Sequence, residues 1–292
     1  MELELKRGGR TARVETLGGE LVSYRDERGL EYIWGGDPAY WPGRNPLLFP
    51  IVGMLKEGKI RFDGREYAME RHGFARRREF TPAARGEDWV RLELRESAET
   101  LALYPYSFRL AVEQRLTDTG FSTAVTVANP GEGPLPFCLG AHTGFRCPLE
   151  AGERFEDYEL VFPERESCPT LLLRDGLLDR PAALPCLEDT DTLPLDYRWF
   201  DALDTLIFEG LRSRSVALRS RKSGSGVRVS FDGFPMLAFW TMPGKKAPYL
   251  CIEPWHGCSA GTAEGPEFTN KAHCIVLAPG ESRTLAYRAD TL

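Results

Sequence analysis

Apolar residues in this chain recur at every second position far more than at every third or fourth. That periodicity commits it to strands. Residues 2–6 (ELELK), 90–95 (VRLELR), 108–116 (FRLAVEQRL) and 122–127 (STAVTV) each place their apolar side chains on one face. Similar runs follow at 205–208, 216–218, 227–231, 236–240, 249–253, 274–277 and 283–287. The 29 glycines and 21 prolines break these runs about every ten residues, which is the punctuation of an all-β sandwich. Asp63-Gly64 between 59–62 and 65–69 is the sequence of a two-residue hairpin. Only 96–103 has a helical pattern. Residues 174–194, rich in Leu, Pro and Asp without a clear period, read as a long loop over one face.

No Ser/Gly-rich linker divides the chain, and β architectures of this length are commonly single domains, so 1–292 is expected to be one domain. A net charge of −6 argues against a nucleic-acid partner. The densest basic cluster, Arg76-Arg77-Arg78, reads as a solvated strand end or loop. No apolar run approaches the length of a membrane span and no signal-like segment opens the chain. Seven cysteines without a C-x-x-C pair point to a reduced, cytoplasmic protein with no structural zinc site.

Two motifs mislead. Gly257-Cys258-Ser259-Ala260-Gly261 has the spacing of a nucleophile elbow. It lacks the helix that must follow the serine, and His273 is the only later histidine. Gly244-Lys245-Lys246 lacks the remainder of a phosphate-binding loop.

What remains is a small set of proton-handling groups. His72 lies in Arg71-His72-Gly73-Phe74, and His142 in Gly140-Ala141-His142-Thr143-Gly144-Phe145 after an apolar run. Glu253 follows Cys251-Ile252 and precedes Pro254, so it ends an extended apolar segment. A carboxylate there is costly unless it is paired or used. Histidine titrates near neutral pH, and a buried glutamate is pushed toward that range. Trp240 and Trp255 are either core or platforms for the C–H face of a sugar.

In order and spacing, five stretches resemble the aldose 1-epimerase (galactose mutarotase) superfamily, and within it the LacX-like branch. They are NPLLFPIVG (45–53), RHGFAR (71–76), FCLGAHTGF (137–145), DTLIF (204–208) and CIEPWHG (251–257). The resemblance implies a large twisted β-supersandwich with an open sugar-binding cleft. It implies Glu253 as general base on the anomeric hydroxyl and His142 as general acid on the ring oxygen. It further implies sugar binding by His72, by Arg44 or Arg71, by Asp204 and by Trp255. No metal and no cofactor is called for, and the expected partner is a small-molecule sugar, with the protein a monomer or homodimer. Thr143-Gly144, His256 and Ala260 depart from residues common in that branch, which leaves the sugar open. The expected activity is interconversion of the α and β anomers of a hexose or related aldose. The alternatives are a hexose-6-phosphate 1-epimerase, whose phosphate Arg44, Arg71, Arg76 and Lys245/Lys246 would hold, and a non-catalytic carbohydrate-binding or regulatory module on the same fold.

Overall fold

The computed structural model describes all 292 residues and is built almost wholly of antiparallel strands. Three N-terminal strands, Glu2–Arg7, Arg10–Glu15 and Glu20–Arg25, form a small sheet. Most of the others join one 15-stranded sheet, and two ribbons complete the set. In the ribbon of Lys59–Phe62 with Arg65–Ala68, Phe62 pairs with Arg65. Its turn residues Asp63 and Gly64 both have positive φ, as an Asp-Gly hairpin turn requires.

Period-two alternation survives where one face is wet. In Gly120–Ala128 the buried positions 121, 123, 125 and 127 or their neighbours alternate along the strand with half-buried ones from Phe121 onward. It disappears in Tyr249–His256, whose first seven residues are all buried. That strand is paired at both edges, by Met236–Trp240 on one side and Leu139–Ala141 and Thr143–Arg146 on the other, and the burial of seven successive residues means that both of its faces are covered as well. A core of 72 buried residues fills the molecule. A separate four-residue cluster, Trp34, Ala247, Tyr249 and Cys251, packs with Tyr40, Trp41, Trp240 and Met242.

The loop expected over 174–194 is instead a strand, Leu177–Pro194, paired along Tyr158–Arg174. Four register shifts interrupt this long hairpin, and each shift resets which side chains point inward. A regular ladder would have left a period in the sequence; this one erased it. The helix expected at 96–103 shrinks to Ala98–Leu101, started by Ser97, which accepts a hydrogen bond from the Thr100 amide. A second short helix, Tyr197–Leu203, begins at Asp196 and was not anticipated. No helix is long and apolar enough to cross a membrane.

Candidate active site

The ladder itself sets the central pair. Leu139 and Gly140 pair with His256 and Trp255, while Thr143 and Gly144 pair with Ile252 and Cys251. This register brackets His142 directly opposite Glu253. Pro254 has no N–H to offer, so the ladder opens at that point. The His142 Nε2 lies 3.4 Å from the Glu253 Oε2. Both side chains are interior, with His142 8% and Glu253 1% exposed.

Burial dominates the electrostatics of this pair. It raises the Glu253 pKa well above the ordinary carboxylate value, with nearby Arg71 and the Trp255 indole pulling the other way. Burial also depresses His142 to about 3, helped by Arg76 and Arg71. Both shifts favour the uncharged forms, with the pair's proton on Glu253 facing a neutral imidazole. Neither the Glu253 Oε2 nor the His142 Nδ1 has a hydrogen-bond partner. The Trp255 Nε1 lies beside the carboxyl and is also left unpaired.

His72 is fixed differently. Its amide donates to the Gly53 carbonyl at 2.9 Å. In return the Gly53 amide donates to the His72 Nδ1 at 3.1 Å. An Nδ1 that accepts leaves the proton of the neutral ring on Nε2. Burial holds the His72 pKa well below its usual value, with His142, Arg71 and Arg76 adding to the effect. His72 is thus a neutral donor rather than an acid or base. Its φ is +67°, and Gly73 follows at +71°. A side chain on Gly73 would collide with the Phe49 backbone, so only glycine fits there.

Aromatic rings hold His142 in place. Trp41 stacks on it with centroids 4.8 Å apart and planes 29° apart. Trp240 meets it edge-on at 5.6 Å. His72 approaches it at 5.8 Å, nearly perpendicular. Gly144 makes room for Trp41, because an added Cβ there would sit 3.0 Å from the indole and 3.1 Å from Trp34.

His72, His142, Glu253, Arg71 and Trp255 thus line one cleft of about 230 Å³, together with Trp41, Trp240, Arg76 and Thr205. Two roomier recesses, of about 460 and 540 Å³, lie elsewhere and contain no buried titratable group. Arg44 is outside the cleft lining: its Nε donates to the Gly35 carbonyl at 3.2 Å and its Nη1 reaches Glu15 at 3.4 Å. Its carbonyl instead accepts the Gly144 amide at 2.7 Å, steadying the segment after His142. Asp204 stands behind the cleft wall, where its Oδ2 accepts from the Thr205 hydroxyl at 2.8 Å. Ser259 reaches the cleft, but its Oγ accepts the Met54 amide at 3.0 Å and no α-helix follows it. The other two histidines lie apart, His256 against the His273 carbonyl and His273 against Glu209.

Sequence reasoning missed Trp41, and of the basic residues it raised for a phosphate the cleft lining includes Arg71 and Arg76 but not Arg44, Lys245 or Lys246. Trp41 sits in a segment with no periodicity, three residues before Arg44. The residue types were visible, but their convergence was not.

Comparison with known proteins agrees with this architecture. The aldose 1-epimerase family matches residues 1–289, and the chain belongs to that family. Two LacX proteins of Lactococcus lactis subsp. lactis, one plasmid-borne and one chromosomal, are each 40% identical to it over 295 residues, covering 98% of both chains. Among solved structures, a galactose mutarotase related enzyme from Lactobacillus acidophilus superposes with a TM-score of 0.95 at 26% identity, covering 100% of this chain and 97% of the other. A galactose mutarotase-like protein from Lactobacillus casei gives 0.93 at 27% identity, with both chains fully covered. The large twisted all-β sheet of this chain is therefore the galactose mutarotase fold.

Proposed function

We propose that this chain is a cofactor-independent aldose 1-epimerase that interconverts the anomers of a hexose or related aldose at the Glu253–His142 pair. The observation that carries this reading is the 3.4 Å approach of two buried groups at the base of a cleft walled by tryptophans. Anomer exchange needs one acid and one base at once, and a pair sharing a single proton supplies both.

Bound sugar meets the pair after the shared proton has moved from Glu253 to His142, a transfer that leaves the pair's net charge unchanged. Arg71 acts on both partners in this transfer, lowering the pKa of Glu253 and that of His142. The carboxylate then takes the proton of the anomeric hydroxyl. The C1–O5 bond breaks, and the imidazolium delivers its proton to O5. Rotation about C1–C2 turns the other face of the aldehyde toward O5. Reclosure with the roles reversed gives the second anomer and restores the pair. The state that accompanies the open chain, protonated Glu253 with neutral His142, is the one burial favours in the empty cleft. His72 donates through Nε2 to a ring or hydroxyl oxygen, and Trp41 and Trp240 offer apolar faces to the sugar's C–H groups.

The test is polarimetric relaxation of freshly dissolved α-galactose or α-glucose. Wild-type protein accelerates it and Glu253→Gln does not. Relaxation at only the spontaneous rate, across a panel of aldoses and their phosphates, rejects the reading.

One observation favours a 6-phosphorylated aldose over the free sugar. Arg71 and Arg76 both line the cleft and neither has a carboxylate within 4.0 Å, whereas Arg77 and Arg78 pair with Glu70 and Glu99. The Arg76 Nε is buried without an acceptor, and one Nη is held by the Arg71 carbonyl at 2.8 Å. Two guanidinium groups without counterions suit a phosphate, which arginine binds in bidentate fashion. Comparing kcat/KM for glucose and glucose 6-phosphate decides between the two substrates.

A further inference from the structure

Beneath the cleft, the pair has a third neighbour. Cys251 and Glu253 lie two residues apart on one strand, so their side chains point to the same face. Gly144 pairs with Cys251, and Trp41, which stacks on His142, packs into the space its missing side chain leaves. One donor atom each from His142, Cys251 and Glu253 lie within 4.8 Å of one another. All three residues are buried, and the Glu253 Oε2 has no hydrogen-bond partner.

We infer that His142, Cys251 and Glu253 form a binding site for Zn²⁺ or a similar thiophilic divalent cation, and that its occupation blocks the cleft. Zinc binds imidazole nitrogen and carboxylate oxygen at about 2.0–2.2 Å and thiolate sulfur at about 2.3 Å. A tetrahedral site with those bonds has an N···O edge of about 3.4 Å and edges to sulfur of about 3.6 Å. The His142 Nε2 and Glu253 Oε2 are already 3.4 Å apart. Only the thiol has to close in, by about 1.2 Å at most, which is within the reach of a χ1 rotation. The thiol proton and the proton held on Glu253 both leave to solvent as the S–metal and O–metal bonds form.

The chemistry selects the ion. One soft sulfur, one imidazole and one carboxylate suit zinc, whereas magnesium and calcium prefer all-oxygen shells. Stacking on Trp41 and contact with Trp240 hold the imidazole in one orientation, so little freedom is lost on binding. Three protein ligands leave a fourth position on the cleft side, where the sugar's reacting oxygens would lie. The metal therefore competes with the sugar instead of assisting it. This site does not depend on the epimerase reading, because binding is read without any sugar present.

Co²⁺ titration of the chelator-treated protein tests it. A thiolate-to-cobalt charge-transfer band in the near ultraviolet saturates at one equivalent and is abolished by Zn²⁺. Cys251→Ser removes the band although the other six cysteines remain. Where that variant fails to fold, Glu253→Gln serves: losing a direct ligand weakens Zn²⁺ binding in calorimetry by more than the roughly 10–100-fold typical of an outer-sphere partner. No band with wild-type protein, or the same band in Cys251→Ser, overturns the inference. If the protein accelerates anomer exchange, Zn²⁺ raises the KM for sugar and chelator restores it; inhibition that lowers kcat alone also counts against the site.

Discussion

At the residue scale, burial makes both Glu253 and His142 cost stability, and pH separates their contributions. In the unfolded chain Glu253 ionises at its ordinary value of 4.5, whereas the folded protein holds the proton to higher pH. Above 4.5 the native state binds the extra proton, so Glu253 costs stability as pH rises toward its folded pKa. His142 has the opposite sign. It resists protonation down to about 3 when folded but accepts a proton at about 6.5 when unfolded, so stability falls as pH drops below 6.5. Glu253→Gln should therefore be inactive yet more heat-resistant than wild type, by a margin that grows as pH rises above 4.5 toward the folded pKa of Glu253. The expected loss in rate is about 10²–10⁴-fold, the usual share of a general acid or base. His142→Asn should gain over wild type toward acid pH. Thermal unfolding of the three proteins as a function of pH checks both signs, and a Glu253→Gln advantage that is flat or shrinks with pH contradicts the burial argument. These two residues were legible in the sequence because an ionisable group beside an apolar run is conspicuous. Trp41 was not, since an aromatic in an aperiodic segment looks the same whether it packs a core or stacks on a histidine.

At the element scale, the site depends on how closely neighbouring segments approach the central strand. Gly144 is the tightest of these points: it pairs with Cys251 and gives way to both Trp41 and Trp34. Gly144→Ala should displace Trp41 from His142 while leaving the ladder intact. Overpacking of this kind costs about 1–3 kcal/mol. The protein should remain folded, with altered tryptophan fluorescence and a raised KM for sugar. An unchanged KM and spectrum would mean the Trp41–His142 stack is incidental. Elements were legible in proportion to their regularity. Met236–Trp240 was read to the residue because one uninterrupted ladder covers it. Leu177–Pro194 was lost because four register shifts scramble its burial pattern. Helix Tyr197–Leu203 carried one usable signal, the Asp196 side chain that accepts from the Arg198 amide, but spans too few residues to show a period.

At the scale of the whole molecule, alternation announced an all-β chain without saying which strand lies beside which. Gly226–Ser230 pairs with Ser282–Thr291, and Leu139–Ala141 with Leu47–Leu48. Period-two patterning records which face is buried and says nothing about the neighbour, so the register that sets His142 opposite Glu253 could be recovered only through family resemblance or structure. The molecule's charge distribution, in contrast, yields a prediction. The net charge of −6 repels an anionic sugar at long range, while Arg71 and Arg76 attract it at the cleft. Ions screen the two fields over about 10 Å at 0.1 M salt. The short-range attraction of a phosphate to two guanidinium groups without counterions should dominate in the bound state and weaken as salt is added. Between about 0.05 M and 0.5 M salt, kcat/KM for a 6-phosphorylated aldose should fall several-fold, while that for the free sugar stays level. Arg76→Gln should reduce both the preference for the phosphate and the salt dependence, since it removes one of the two charges. A phosphate preference that is absent in wild type, or that survives in Arg76→Gln with its salt dependence intact, shows that the two arginines serve some other end.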